Sequence, residues 1–323
     1  MRAMVFREYG PPEVLRLEDV EKPTPKDDEA LVRIRAATVT AGDCELRAFR
    51  FPLWVAIPLR LFMGLRRPKR MNILGQELAG EVEAVGRNVT RFKAGDRGFA
   101  ATSLGLAAHA EYRCIRESGP IARMPESASF EEAAALPTGG QNALHFCRKA
   151  RIAQGERVLV NGAAGTIGLY LVQLAKLSGA EVTAVDRSAK LDTLRRMGAD
   201  RVLDSDAEDF TRSGDTYDVI FDLVLKSAFS RGLRSLGETG RYVIVNPLVN
   251  RMLRGLWVSC TTKKKVYFAL AGESSEDLNT LRELVEAGSL KAVVDRVFPL
   301  EQAAEAHRYV ESGRKVGNVA LRI

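Results

Sequence analysis

The stretch VLVNGAAGTIGLYLVQLAK, running from Val158 to Lys176, constrains this chain more than any other. A short apolar run gives way to a turn rich in glycine and alanine. A helical pattern then continues without a charge until Lys176. The same alternation recurs on either side of it. EVTAVD, RVLD, YDVIFDLV and GRYVIVN read as strands, and SAKLDTLRRMG and AFSRGLRSLG as helices. Strands that alternate with helices of roughly ten residues imply βαβ units and a parallel sheet. These strands are short and almost wholly apolar, as a sheet covered on both faces requires.

The first part of the chain reads differently. ALVRIRAATV, ELAGEVEAVG and AHAEYRCI alternate apolar with polar residues, and RFKAGDRGFA reads as a turn entering a further strand. Several short strands at this spacing suggest a small β barrel or sandwich. At 323 residues the chain is long for one core and usual for two. No apolar run is long enough to span a membrane, and the amino-terminal stretch lacks the apolar core of a signal peptide. The four cysteines are scattered, with no CxxC and no histidines clustered near them. That argues against structural zinc and disulfides and for a reducing, cytoplasmic setting.

The glycines of the turn are Gly162, Gly165 and Gly168. Such a turn can admit a pyrophosphate to the backbone, and the following helix offers unpaired N–H groups and a positive dipole end. Gly168 would let the helix pack close to the sheet. An acid at the end of the next strand should meet ribose hydroxyls. Asp186 stands eighteen residues beyond Gly168, near the expected interval. Candidate cofactor contacts on this segment are Gly162, Ala163, Ala164, Gly165, Thr166, Ile167, Gly168 and Asp186. Arg187 and Lys190 follow closely enough to hold a 2′-phosphate instead.

With these motifs in view, the chain resembles a zinc-free medium-chain dehydrogenase/reductase of the quinone oxidoreductase-like branch. GEVEAVGRNVTRFKAGDRGF resembles the family's barrel signature, and AALPTGGQNAL the segment leading into its cofactor domain. VLVNGAAGTIGLYLVQLAKLSGAEVTAV resembles its nucleotide loop, and AHRYVESGRKVGNVAL its carboxy-terminal return. The match covers essentially the whole chain. It implies an α/β fold, a Rossmann doubly wound parallel sheet plus a GroES-like β-barrel domain. The expected boundaries are 1–123 with 269–323 for the GroES-like domain and 124–268 for the Rossmann domain, with the cofactor in the cleft.

Zinc-dependent relatives place Cys where this chain has Thr40 and His where it has Gln76, and neither replacement is a good zinc ligand. The structural zinc loop is absent too. Simple alcohol oxidation, which needs Lewis-acid help, is therefore the weaker expectation. The resemblance implies hydride transfer to a quinone or an α,β-unsaturated carbonyl, whose oxyanion the protein must hold. Thr40, Asp43 and Gln76 are the candidates on the catalytic side. Asp43 is expected to orient the loop or Arg47 rather than move protons. His109, His145 and His307 read as packing residues, and Cys44 as inert. Asn142, Val224, Asn246 and Asn318 stand where the family contacts its cofactor, although Asn318 replaces a frequent lysine. NADP(H) is favoured because most zinc-free relatives use it. NAD(H) stays open because of Asp186.

The net charge of +7 is local. No acid occurs between Glu45 and Glu77, nor from Arg241 to Gly272, and these basic segments account for the excess. The rest is slightly acidic, which argues against nucleic acid as a partner. FRFPLWVAIPLRLFMGLRRPKR and LVNRMLRGLWVSCTTKKKVYF combine this charge with Trp54 and Trp257. Burial of their apolar residues in an interdomain or subunit interface is the favoured reading, and docking on a membrane surface the weaker one. Either admits a pocket for a small apolar carbonyl or quinone, and a homodimer is the family expectation. The alternative to an enzyme is a cofactor-binding redox sensor or membrane-associated scaffold with little turnover.

Overall fold

The computed structural model describes every residue except 70, 103–104, 225–227, 246–248 and 269–270. In chain order the elements are β1 (Arg2–Phe6), β2 (Leu15–Asp19), β3 (Glu29–Thr38), α1 (Ala41–Ala48), α2 (Leu53–Met63), β4 (Glu77–Val85), β5 (Arg97–Ala101), β6 (Tyr112–Arg116), β7 (Ile121–Arg123) and α3 (Phe130–Ala134). Next come α4 (Pro137–Ala150), β8 (Arg157–Asn161), α5 (Thr166–Leu177), β9 (Glu181–Asp186), α6 (Leu191–Arg196), β10 (Arg201–Asp204), β11 (Tyr217–Asp222) and α7 (Phe229–Gly232). The chain closes with β12 (Leu236–Ile244), α8 (Val249–Thr261), β13 (Lys265–Phe268), α9 (Ser275–Glu286), β14 (Val294–Pro299), α10 (Ala303–Glu311) and β15 (Asn318–Arg322). Two units emerge. One comprises Met1–Thr138, Glu273–Gly288 and Ala292–Ile323, the other Gly139–Gly272 and Ser289–Lys291.

In the first unit β3 is the spine. Its apolar residues are buried along almost its whole length, and it pairs antiparallel with β4, β6 and β15. The sheet runs β14-β15-β3-β4-β5-β7, with β6 attached to β3. Two register shifts interrupt the β3–β4 ladder, and irregularities of this kind bend a sheet toward closure. Val32, Ile34, Leu78, Val82 and Phe92 fill one core. Phe6, Met63, Leu74 and Leu321 fill another.

The second unit carries a six-stranded sheet in the order β10-β9-β8-β11-β12-β13, with every pairing parallel. This is the doubly wound Rossmann arrangement, whose order reverses between β8 and β11. Leu159, Val185, Ile220 and Ile244 bury their side chains in its core. The uncharged face of α5 accounts for its packing, since Gly168 through Ala175 are all buried.

Several local expectations are corrected. The amino-terminal region holds two helices, α1 and α2, in a stretch read as strands and turns. The segment AFSRGLRSLG yields one helical turn, α7, and then enters β12 at Leu236. Phe229, Leu233 and Leu236 are all buried at helix-like spacing, but Leu236 is buried as a strand residue. Strands β13 and β14 had no clear alternation to announce them.

Candidate active site

The turn between β8 and α5 is built by its glycines. Gly162 adopts φ +82°, in the left-handed region that glycine enters without strain. The Val185 carbonyl at the end of β9 accepts the N–H groups of Gly162 and Ala163 at 2.9 and 3.1 Å. Gly165 is the N-cap of α5 and supplies no side-chain cap. A Cβ on Gly168 would lie 2.5 Å from the Ala163 carbonyl oxygen. The third glycine therefore lets the helix close on its own turn, rather than on the sheet as its sequence position suggested. Thr166 and Ile167 are half-buried on the first turn of α5.

Asp186 braces this turn. One carboxylate oxygen accepts the Ala164 N–H at 2.9 Å and the other the Arg187 N–H at 2.9 Å. The Lys190 ammonium lies 3.6 Å from the same carboxylate, with both side chains largely shielded from water. The Arg187 side chain is exposed. Asp186 thus arrives already hydrogen-bonded and charge-compensated, with a further cation beside it.

Across the switch point, Asp222 at the end of β11 is 2% exposed. It accepts hydrogen bonds from the Asn161 amide at 2.9 Å, the Tyr242 hydroxyl at 2.8 Å and the Val224 N–H at 3.3 Å. Val224 itself is 39% exposed. Asn142 sits half-buried on α4. Asn246 lies outside the described residues. Asn318 belongs to the first unit, where it is buried on β15 and its amide donates to the Val293 carbonyl at 3.2 Å.

In the first unit the three catalytic candidates meet. Thr40 is the N-cap of α1 and forms a capping box with Asp43. The Thr40 hydroxyl donates to Asp43 at 2.7 Å. It accepts from the Asp43 N–H at 3.1 Å and from the Gln76 amide at 3.1 Å. Its one donor and two acceptor positions are all in use. The other Asp43 oxygen accepts the Gly75 N–H at 2.9 Å. Asp43 therefore orients the loop and not Arg47. Arg47 instead is fully buried against the Gly10 carbonyl and Glu311. Thr-x-x-Asp ahead of a helix is a readable N-terminal signal, and it would have located α1.

Beside Gln76 lies a residue that the sequence did not single out. Glu77 is fully buried and accepts from the Thr38 hydroxyl and, at 2.7 Å, from the Thr138 N–H. Burial pushes its carboxyl up to about 7, with the nearby Asp43 charge acting in the same direction. The buried His109 lies 2.8 Å from the Thr38 carbonyl through Nε2. His307 is buried next to Cys44 and Arg47, and desolvation holds its pKa well below the usual imidazole value. Burial drives the Cys44 thiol up to about 12, so it is no nucleophile at neutral pH. His145 lies on α4 with its ring edge-on to Phe146. Among the described residues, no group of three or more His, Cys, Asp or Glu side chains is placed to hold a metal ion.

Comparison with known proteins agrees with this architecture. Residues 26–141 match the family described as alcohol dehydrogenase GroES-like domain, and residues 197–321 the family described as zinc-binding dehydrogenase. A chloroplastic quinone-oxidoreductase homologue of Spinacia oleracea is 31% identical, covering 99% of this chain and 98% of its own length. A chloroplastic NADPH-dependent alkenal/one oxidoreductase of Arabidopsis thaliana is 28% identical over 99% of this chain and 79% of its own. The solved quinone oxidoreductase of Coxiella burnetii superposes with a TM-score of 0.89 at 29% identity, covering 100% of this chain and 99% of that one. The chain belongs to the quinone-oxidoreductase-like branch of the medium-chain dehydrogenase/reductase family.

Proposed function

We propose that this chain is a zinc-independent, NADPH-dependent reductase of quinones and α,β-unsaturated carbonyls. The observation that carries the reading is the turn from Gly162 to Gly168, closed on itself and opening into a helix whose N-cap offers no side chain. That cradle fits a dinucleotide pyrophosphate. When bound, the reduced nicotinamide supplies the hydride. The names of the spinach and Arabidopsis relatives support the acceptor class.

The cofactor's second phosphate is argued from charge. Asp186 is offset by Lys190, and Arg187 adds an exposed cation at the strand end where Asp204 lies opposite Asp186 and accepts the Ser188 N–H. Arg187 and Lys190 together offer a 2′-phosphate two cationic donors, which a bare ribose would not use. Changing both Arg187 and Lys190 to Ala should raise the KM for NADPH by about tenfold and leave that for NADH the same or lower. Equal rises for both cofactors would remove the phosphate assignment. On the acceptor side, Thr40 and Gln76 offer neutral oxygen and nitrogen where a zinc site needs thiolate or imidazole, and Asp43 is fully engaged. The Gln76 amide spends one N–H on Thr40 and keeps a second, which we assign to the acceptor oxygen. We also propose a homodimer formed through β13, an edge strand of the six-stranded sheet.

Absorbance at the reduced-nicotinamide band tests the whole reading, with NADPH and NADH in parallel and an ortho-quinone and an enone as acceptors. Oxidation of NADPH in preference to NADH is the expected result. Binding of cofactor by fluorescence with no oxidation by either acceptor would instead make the chain a cofactor-binding protein.

A further inference from the structure

Helix α2 is turned inside out. On the body side, Met63 is fully buried and Leu59 packs on the core cluster. On the other side, Trp54, Ile57, Leu61 and Phe62 are 63%, 61%, 68% and 52% exposed. Their spacing puts them on one helical face, where a surface helix ordinarily carries polar residues. The helix is firmly seated. The Tyr9 hydroxyl donates to the Gly64 carbonyl at 2.9 Å. The Arg60 guanidinium lies over the rings of Tyr9 and Phe49 and donates to the Leu65 carbonyl at 2.6 Å. The exposed stripe is thus a built surface and not a frayed end.

Its rim is mainly basic, with Arg50 lying 3.5 Å from Glu311. Arg50, Arg66, Arg67 and Lys69 are exposed around it, and no acid occurs between Glu45 and Glu77. Within the other unit, α8 repeats the arrangement. Leu253, Leu256 and Trp257 are 65%, 52% and 65% exposed, while Gly255 and Val258 face inward. Arg254 is exposed on the same helix, and Lys263 to Lys265 follow it. Among the described residues, the only large apolar side chains exposed outside these two segments are Leu17, Leu177, Val224 and Val297. Among the described residues, no helix is long and apolar enough to cross a membrane.

We propose that α2 docks this protein on an anionic lipid surface, lying in the interface plane. Charge complementarity selects this occupant. The apolar stripe and its tryptophan suit the acyl boundary, and the mainly basic rim suits the headgroups. A second copy of the chain meeting α2 face to face would bring Arg66, Arg67 and Lys69 of both copies together, with Glu311 already engaged by Arg47 and Arg50. The inference does not depend on the reductase reading, because it concerns side chains outside the cofactor turn and the Thr40–Gln76 cluster.

The test is co-sedimentation of the full chain with phosphatidylcholine vesicles, with and without phosphatidylglycerol. Binding should be at least about tenfold stronger with the anionic lipid and should fall as salt is raised. Trp54 emission, isolated in a Trp257→Phe variant, should shift to the blue and be quenched by brominated lipid. Leu61→Glu should weaken vesicle binding about tenfold without moving the thermal midpoint or NADPH affinity. Equal indifference to both vesicle types overturns the proposal. So does a Leu61→Glu variant that changes oligomeric state by light scattering while vesicle binding is untouched, which gives the face to a second copy.

Discussion

Gln76→Leu is expected to slow quinone reduction about a hundredfold in kcat, the usual cost of losing one aimed hydrogen-bond donor to a developing oxyanion. Leucine preserves the bulk and removes only the amide. Gln76 is the better donor because of how the cluster is wired. The Thr40 proton is committed to Asp43, and both Thr40 lone-pair positions accept N–H groups. Thr40→Val should act mainly on α1, where loss of the cap costs about 1 kcal/mol of stability, with a smaller effect on rate. Steady-state kinetics on the two variants decide the matter. A larger kcat loss in Thr40→Val than in Gln76→Leu would exchange the two roles. A Gln76→Leu variant with unaltered kcat would remove the amide from the chemistry.

Glu77→Gln should make the protein more stable in alkaline solution and leave it nearly unchanged in mild acid. Burial raises the Glu77 carboxyl from its ordinary 4.5 to about 7, so the folded chain favours the neutral acid. The contribution is fully present below about pH 4.5. It drains away as pH rises through 7, because the unfolded chain releases the proton more readily. The difference between the two values corresponds to about 3 kcal/mol. Glutamine copies the neutral form, since its carbonyl can accept from Thr138 N–H and its amide can donate to the Thr38 hydroxyl. Denaturant titrations at about pH 4 and about pH 9 should show the variant gaining up to about 3 kcal/mol only at the higher value. An equal gain or loss at both values would show that Glu77 does not titrate in this range. Glu77→Leu should lose stability at both, because it leaves two buried donors unpaired.

The strand–turn–helix at Gly162 and the place of Asp186 at the end of β9 could be read directly because both depend on local spacing. Hydrogen bonds running only a few residues along the chain, or to the adjacent strand, realise them. Glu77 was invisible for the opposite reason. What makes it unusual is burial and a hydrogen bond to Thr138, sixty-one residues away. The helix α2 escaped notice because its apolar residues face both the body and the solvent. Periodicity can mark a helix only when one face is polar. The capping box at Thr40 and Asp43 is legible in the Thr-x-x-Asp spacing.

The Rossmann sheet grows outward from β8 in both directions, and one ladder differs from the rest. Neighbours such as β8 and β9, or β11 and β12, join segments separated by a single helix or loop. The β8–β11 ladder joins Asn161 to Asp222 across sixty-one residues. Its closure carries the largest loop entropy of the six-stranded sheet, and it can form only when both halves are in place. The floor beside the glycine turn, tied together by Asn161, Asp222 and Tyr242, is therefore a property of the completed topology. Cofactor affinity in this chain should report on global folding, and a lesion far out on β10 or β13 can empty the seat without touching it.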